Sequence, residues 1–231
     1  MSSTSVTTIS TCPPSSGNDD VAARLAVVRA RIAAAGGDPE RVRVLAVTKG
    51  FGADAVTAAR AAGLSDLGEN YGAELLGKAP GPPGTRWHFL GTVQRNKVRV
   101  LAPLVDVWQG VARFVEGERI ARVAPGAHVL VQVDYTGLPG RNGCAPADVP
   151  ALVGSLTGLD LDVQGLMTVA PQGADAAADA FGSLRRLADA LGLPERSMGM
   201  TQDLEAAVAA GSTMVRVGRA LFGDRLPAGT G

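Results

Sequence analysis

A single-domain (β/α)8 barrel is the fold class this sequence predicts, and three observations predict it. Short β-branched runs alternate with helical patterns along most of the chain, and such alternation implies parallel strands joined by right-handed crossovers. The units number about eight, the count at which a parallel sheet closes on itself. The length, 231 residues, falls within the roughly 200–250 residues that such a barrel occupies as one domain. A doubly wound open sheet is the alternative. No fixed-period repeat and no Gly/Ser linker divides the chain.

Residues 1–18, rich in Ser, Thr and Pro, read as a disordered leader, and residues 19–231 as the barrel. The leader lacks the basic and apolar regions of a secretory signal. Val21, Leu25, Val28 and Ile32 recur at helical spacing until Gly36-Gly37. The first strand is Val42–Thr48, followed by helix Ala53–Ala62, a strand ending at Leu67-Gly68 and helix Tyr71–Lys78. Strand Arg86–Leu90, helix Gln94–Leu101, strand Val105–Trp108 and a helix near Arg113–Arg122 come next. Strand His128–Asp134 and helix Ala147–Leu156 precede strand Asp162–Thr168 and helix Asp175–Leu191. The chain closes on strand Arg196–Met198, helix Gln202–Ala210 and strand Met214–Val217.

Hydrophobic residues make up 46% and aromatics only 4%, which calls for an aliphatic core. The 22 basic and 22 acidic residues cancel, so nothing global attracts nucleic acid or an anionic membrane, and any phosphate must be held by local geometry. Cys12 and Cys144 form no disulfide framework and suit no metal site, which points to a reducing, cytoplasmic compartment. No apolar run approaches about 18 residues.

In such a barrel the carboxyl ends of the strands share one mouth, where chemistry concentrates. The positions predicted there are Lys49, Glu69-Asn70, His88, Asp134, Met167-Thr168, Ser197–Met200 and Arg216–Arg219. Lys49 ends an apolar strand. Desolvation there disfavours the ammonium and frees a nucleophilic amine for an aldehyde, although a plain surface lysine fits the pattern as well. The turn Ser197-Met198-Gly199-Met200-Thr201 leads into a helix and offers N–H groups to a phosphate, with Thr201 as the expected cap. An ordinary capped helix is the alternative. Arg216, between two valines, points into the barrel or its mouth and needs acceptors. Gly218 permits close backbone approach, and loops after the last two strands often form a phosphate site. His88 reads as a structural histidine bonded to a neighbour, and Arg95, Lys97 and Arg99 as a solvated basic face.

Taken together, these segments resemble the pyridoxal phosphate homeostasis proteins, the YggS-like or proline synthase co-transcribed homologues. The resemblance is carried by Leu45–Lys49, Leu67–Tyr71, Trp87–Gly91, Gln94–Lys97, Gly165–Thr168, Ser197–Thr201 with Asp203–Ala207, and Val215–Gly218 through Phe222-Gly223, in family order from about residue 20 to 225. It implies the barrel fold of the alanine racemase N-terminal domain, fold type III among enzymes that use pyridoxal 5'-phosphate. It implies a Schiff base on Lys49, Asn70 near the cofactor, Ser197 and Gly199 at its phosphate together with Gly218 and Arg219, and Arg216 on the pyridine nitrogen. Met167 and Met198 complete the expected cofactor-binding set. An arginine donates to that nitrogen and leaves it unprotonated, a poorer electron sink that suits binding more than carbanion chemistry.

The sequence departs from the family pattern at Arg219, where a small hydroxyl residue is usual, at Trp108–Ala112, and at Asp134, where Asn is usual. The expected function is intracellular cofactor homeostasis by a monomer whose partners are the cofactor and apo enzymes that need it, with no catalytic residue and no metal. An amino-acid racemase is the first alternative, and a different phosphate-binding barrel such as a sugar-phosphate isomerase is the second.

Overall fold

The computed structural model describes residues 17–224. The predicted leader lies outside the described residues except for Gly17 and Asn18, which open helix α1 (Gly17–Ala34). Eight parallel strands follow one another around a closed barrel: β1 (Arg43–Val47), β2 (Asp66–Glu69), β3 (Arg86–Phe89), β4 (Val107–Val111), β5 (His128–Val133), β6 (Asp162–Thr168), β7 (Glu195–Ser197) and β8 (Met214–Val217). β8 closes on β1 with Arg216 opposite Leu45. The helices between them are α2 (Ala53–Ala61), α3 (Gly72–Lys78), α4 (Val98–Leu101), α5 (Phe114–Ala121), α6 (Val149–Thr157), α7 (Ala174–Ala190) and α8 (Leu204–Ala209), with α9 (Arg219–Phe222) after the last strand.

The strand period of two separates two cores. Val44, Ala46, Trp87, Val129, Val131, Leu166, Val215 and Val217 face outward into the large core beneath the helices. Their neighbours face inward, where Leu45, Val47, Leu90 and Met214 form one small apolar cluster and Val107, Leu130 and Met167 another. The rest of the interior is polar: Asp66, His88, Gln109, Ser197 and Arg216 are all buried. Gly68 makes room on this side, since a Cβ there would lie 2.4 Å from Leu45 Cδ2.

Three elements differ from the sequence reading. The helix expected over Gln94–Leu101 is only α4, because Gln94–Lys97 are all exposed and offer no apolar face to bury. The strand expected to stop at Trp108 runs to Val111, through the divergent segment, with every residue buried. Helix α8 begins at Leu204, so Asp203 rather than Thr201 stands at its N-cap, and the Asp203 carboxylate accepts the Met200 N–H.

Candidate functional site

Lys49 follows β1 and is half-buried, with its backbone gripped on both sides. Lys78, from the last turn of α3, donates to the Thr48 carbonyl at 2.8 Å, to Glu69 Oε1 at 2.6 Å and to Glu74 Oε2 at 2.9 Å. The Thr48 hydroxyl reaches the same Glu69 oxygen at 2.7 Å, and the Gly50 N–H donates to Glu74 Oε2 at 2.7 Å. Glu69 is fully buried at the end of β2, a position tolerable for a carboxylate only when it is paired and hydrogen-bonded. Glu69, Glu74 and Lys78 therefore form an ionic clamp around the residue before and the residue after Lys49.

Arg216 enters from β8, the strand beside β1. Its Nη1 donates to the Ser197 carbonyl at 2.6 Å and the Ser197 hydroxyl at 3.0 Å, and its Nη2 donates to the Thr168 carbonyl at 2.6 Å. Among the described residues it forms no ion pair. Burial pushes its pKa down to about 10, partly opposed by the charge of Asp203, so the group stays a cation at neutral pH.

Both side chains open on one cavity of about 570 Å³ at the carboxyl end of the barrel. Of the residues expected at the site, Lys49, Asn70, Met167, Arg216, Gly218 and Arg219 line it. Ser197, Met198 and Gly199 do not; Ser197 and Met198 are fully buried beneath the turn that follows β7. Gly199 holds that turn with φ +91°, and a Cβ there would sit 2.5 Å from Ala207 Cβ. Its carbonyl accepts the Arg216 N–H at 2.9 Å. At Gly218 a Cβ would lie 3.1 Å from the Val47 carbonyl, so the glycine lets the turn after β8 pack against β1.

Sequence reasoning placed Met200 and Thr201 in the turn at this mouth but missed Gln202 and Asp203, which extend the cavity wall before α8, and Asp224 after α9. The late start of α8 exposes them there. It also placed His88 at the mouth, whereas His88 lies inside the barrel, 1% exposed, between Asp66 and Gln109. Asp134 lies at a separate pocket after β5, where Thr136 and Gly137 donate to its carboxylate. Among the described residues no cluster of metal ligands occurs and no helix is long and apolar enough to cross a membrane.

The fold and this mouth define a class, and comparison with known proteins names it. The family described as "Alanine racemase, N-terminal domain" matches residues 19–226. A protein of Pseudomonas aeruginosa named pyridoxal phosphate homeostasis protein is 42% identical over 89% of this chain and 96% of its own length. The protein of that name from Escherichia coli K12 is 36% identical over 90% of this chain and 97% of its own. The solved structure of PipY from Synechococcus elongatus with PLP bound superposes with a TM-score of 0.78 at 34% identity, covering 88% of this chain and all, 100%, of that one. The alanine racemase of Corynebacterium glutamicum shares the fold, with a TM-score of 0.71 at 16% identity, and this chain covers 61% of it. The chain belongs to the pyridoxal phosphate homeostasis protein family, within the alanine racemase N-terminal-domain class.

Proposed function

We propose that this chain holds pyridoxal 5'-phosphate in the mouth of its barrel, as a Schiff base on Lys49, and serves intracellular homeostasis of that cofactor rather than a dedicated reaction. The observation that carries the reading is a lysine and a buried, donor-only arginine on adjoining strands, opening on one cavity in a chain with these relatives. The donor set suits the group. The Lys49 amine condenses with an aldehyde and releases water. Arg216 cannot be deprotonated at neutral pH and offers only N–H donors to a ring nitrogen. Asn70 and Met167 line the same cavity. The phosphate falls to the two glycine turns, the one that Ser197, Met198 and Gly199 build and the one at Gly218 and Arg219. When bound, the cofactor supplies an electrophilic carbon and an electron sink.

Racemisation is the second reading, and two observations weigh against it. It needs an acid–base group on each face of the substrate. Burial pushes the Tyr135 hydroxyl up to about 12, and that residue lines the separate pocket after β5. Tyr71 is 60% exposed and does not line the cavity. A monomeric cytoplasmic carrier that hands its cofactor to apo enzymes is the function we infer.

The test is a spectrum followed by mapping. Purified protein should show a visible band, and borohydride should fix the cofactor to the peptide containing Lys49. A Lys49→Ala protein that keeps a reducible band of the same intensity overturns the assignment. Turnover of amino acids at ordinary enzyme rates, roughly 1 per second or more, lost in Lys49→Ala, would replace the carrier by a racemase.

A further inference from the structure

The interior of the barrel holds a hydrogen-bonded chain whose inner members, Gln109, His88 and Asp66, the cofactor reading does not use. It starts at Arg216, at the mouth. Arg216 Nη1 lies 3.0 Å from Ser197 Oγ, Ser197 Oγ 2.7 Å from Gln109 Oε1, Gln109 Nε2 2.7 Å from His88 Nδ1, and His88 Nε2 2.9 Å from Asp66 Oδ1. Asp66 is the first residue of β2, so the chain ends at the amino-terminal end of the barrel. All five side chains are buried, and they come from β8, β7, β4, β3 and β2.

The two ends fix every proton between them. A guanidinium only donates, so Ser197 Oγ accepts from Arg216 and has its single proton left for Gln109 Oε1. That bond sets the amide of Gln109 with its oxygen toward Ser197 and its nitrogen toward His88. The second N–H of Gln109 is used as well, on Met214 Sδ at 3.2 Å. His88 Nδ1 must then accept, which leaves its proton on Nε2, directed at the carboxylate of Asp66. Every donor points the same way, from the mouth to the far end. An imidazolium would set a second N–H against the Gln109 amide. Burial, opposed only in part by Asp66, holds the His88 pKa below its usual value and keeps the ring neutral.

We propose that Gln109, His88 and Asp66 are positioning residues for Arg216, aligning its guanidinium toward the cavity through this one-way chain. The inference rests on the reading of Arg216 as the cofactor's ring partner. The Ser197 and Thr168 carbonyls each accept from one Nη of the guanidinium. The serine hydroxyl could rotate away, and the chain behind it is what turns its lone pair toward Arg216. Such a chain also carries polarisation, because bonds in series strengthen one another. An acceptor bound by Arg216 at the mouth therefore alters the bond at His88, which does not line the cavity.

The chain has 2 histidines, His88 and the half-exposed His128, which pairs with Asp162 outside this network. That makes imidazole 15N resonances a clean probe on the full-length protein. Borohydride mapping to Lys49 first establishes that pyridoxal 5'-phosphate is bound. Titration of the cofactor-free protein with pyridoxal 5'-phosphate should then move the His88 Nδ1 signal and leave His128 in place. Gln109→Met should abolish that response and weaken cofactor affinity roughly 3- to 10-fold, the worth of one interior hydrogen bond. A His88 signal indifferent to bound cofactor in the unaltered protein overturns the inference alone, and does so even where Gln109→Met fails to fold. A folded Gln109→Met protein with unchanged affinity and an intact His88 response does the same. A protein that takes no cofactor on Lys49 overturns the reading and the inference with it.

Discussion

Lys49 and Arg216 open on the same cavity from neighbouring strands, yet the molecule holds them by opposite means. Around Lys49 the supports are charges: Glu69 and Glu74 grip Lys78, and the three together pin Thr48 and Gly50. Around Arg216 the supports are neutral: two carbonyls, a hydroxyl and the amide and imidazole behind it. One support acts on the backbone beside a side chain, the other on the side chain itself. The clamp fixes the backbone before and after Lys49, a residue that lines the cavity. The cage fixes the guanidinium itself with neutral acceptors and without an ion pair among the described residues.

The contrast can be broken most forcefully at Glu69. Glu69→Ala strands the Lys78 ammonium, only 7% exposed, with Glu74 alone; the expected loss is about 3 kcal/mol of unfolding free energy by urea titration. A loss under about 1 kcal/mol would mean that the clamp is ornamental. Arg216→Lys tests the cage. An ammonium keeps the charge but cannot reproduce the fork that spans Ser197 and Thr168, and about 2 kcal/mol should be lost as buried carbonyls go unpaired.

Acid separates the two supports further. The folded state holds His88 below its ordinary 6.5, so the unfolded chain binds the extra proton first. Stability then rises with pH in that window and is lost as pH falls below about 6.5, by up to about 1.4 kcal/mol per pH unit. His88→Phe should remove that slope. Asp66, held below the usual carboxylate range by His88 and the nearby Arg43 and Arg86 against the opposing effect of burial, contributes a second loss only at lower pH, below about 4. The smallest effect sharpens the comparison at its exposed edge. Glu74→Gln, with its side chain 30% exposed, should cost about 0.5–1 kcal/mol, and less in high salt. An equal cost at low and high salt would place Glu74 among the neutral supports.

The alternation of elements was readable because each strand is short, apolar and bounded by glycine or polar turns; Asp162–Thr168 and Met214–Val217 coincide with β6 and β8 to the residue. That Lys49 and Arg216 would share one mouth was readable too, since each is a basic residue set against an aliphatic strand. The segment Trp108–Ala112 read as divergence because it departs from the family pattern, which said nothing of what its one polar residue would meet. That residue is Gln109, which faces a barrel interior where polar side chains are wanted. The chain from Arg216 to Asp66 could not be read at all. Its members lie on five strands, and the spacing along the sequence carries no sign of their contact. The true start of α8 was hidden for a local reason: Thr201 and Asp203 are both good caps, and only the Met200 N–H decides between them.

The pairing of β1 with β8 has a consequence for how the molecule comes into being. Lys49 directly follows β1 and Arg216 lies in β8, so their meeting requires the largest loop closure among the strands. Contacts of such sequence separation form late, after the entropy of closing the chain has been met. No half-built barrel presents both side chains. Capture of a ligand that needs the two together is thereby reserved for molecules that have finished folding, and a ligand held between them ties the start of the barrel to its end.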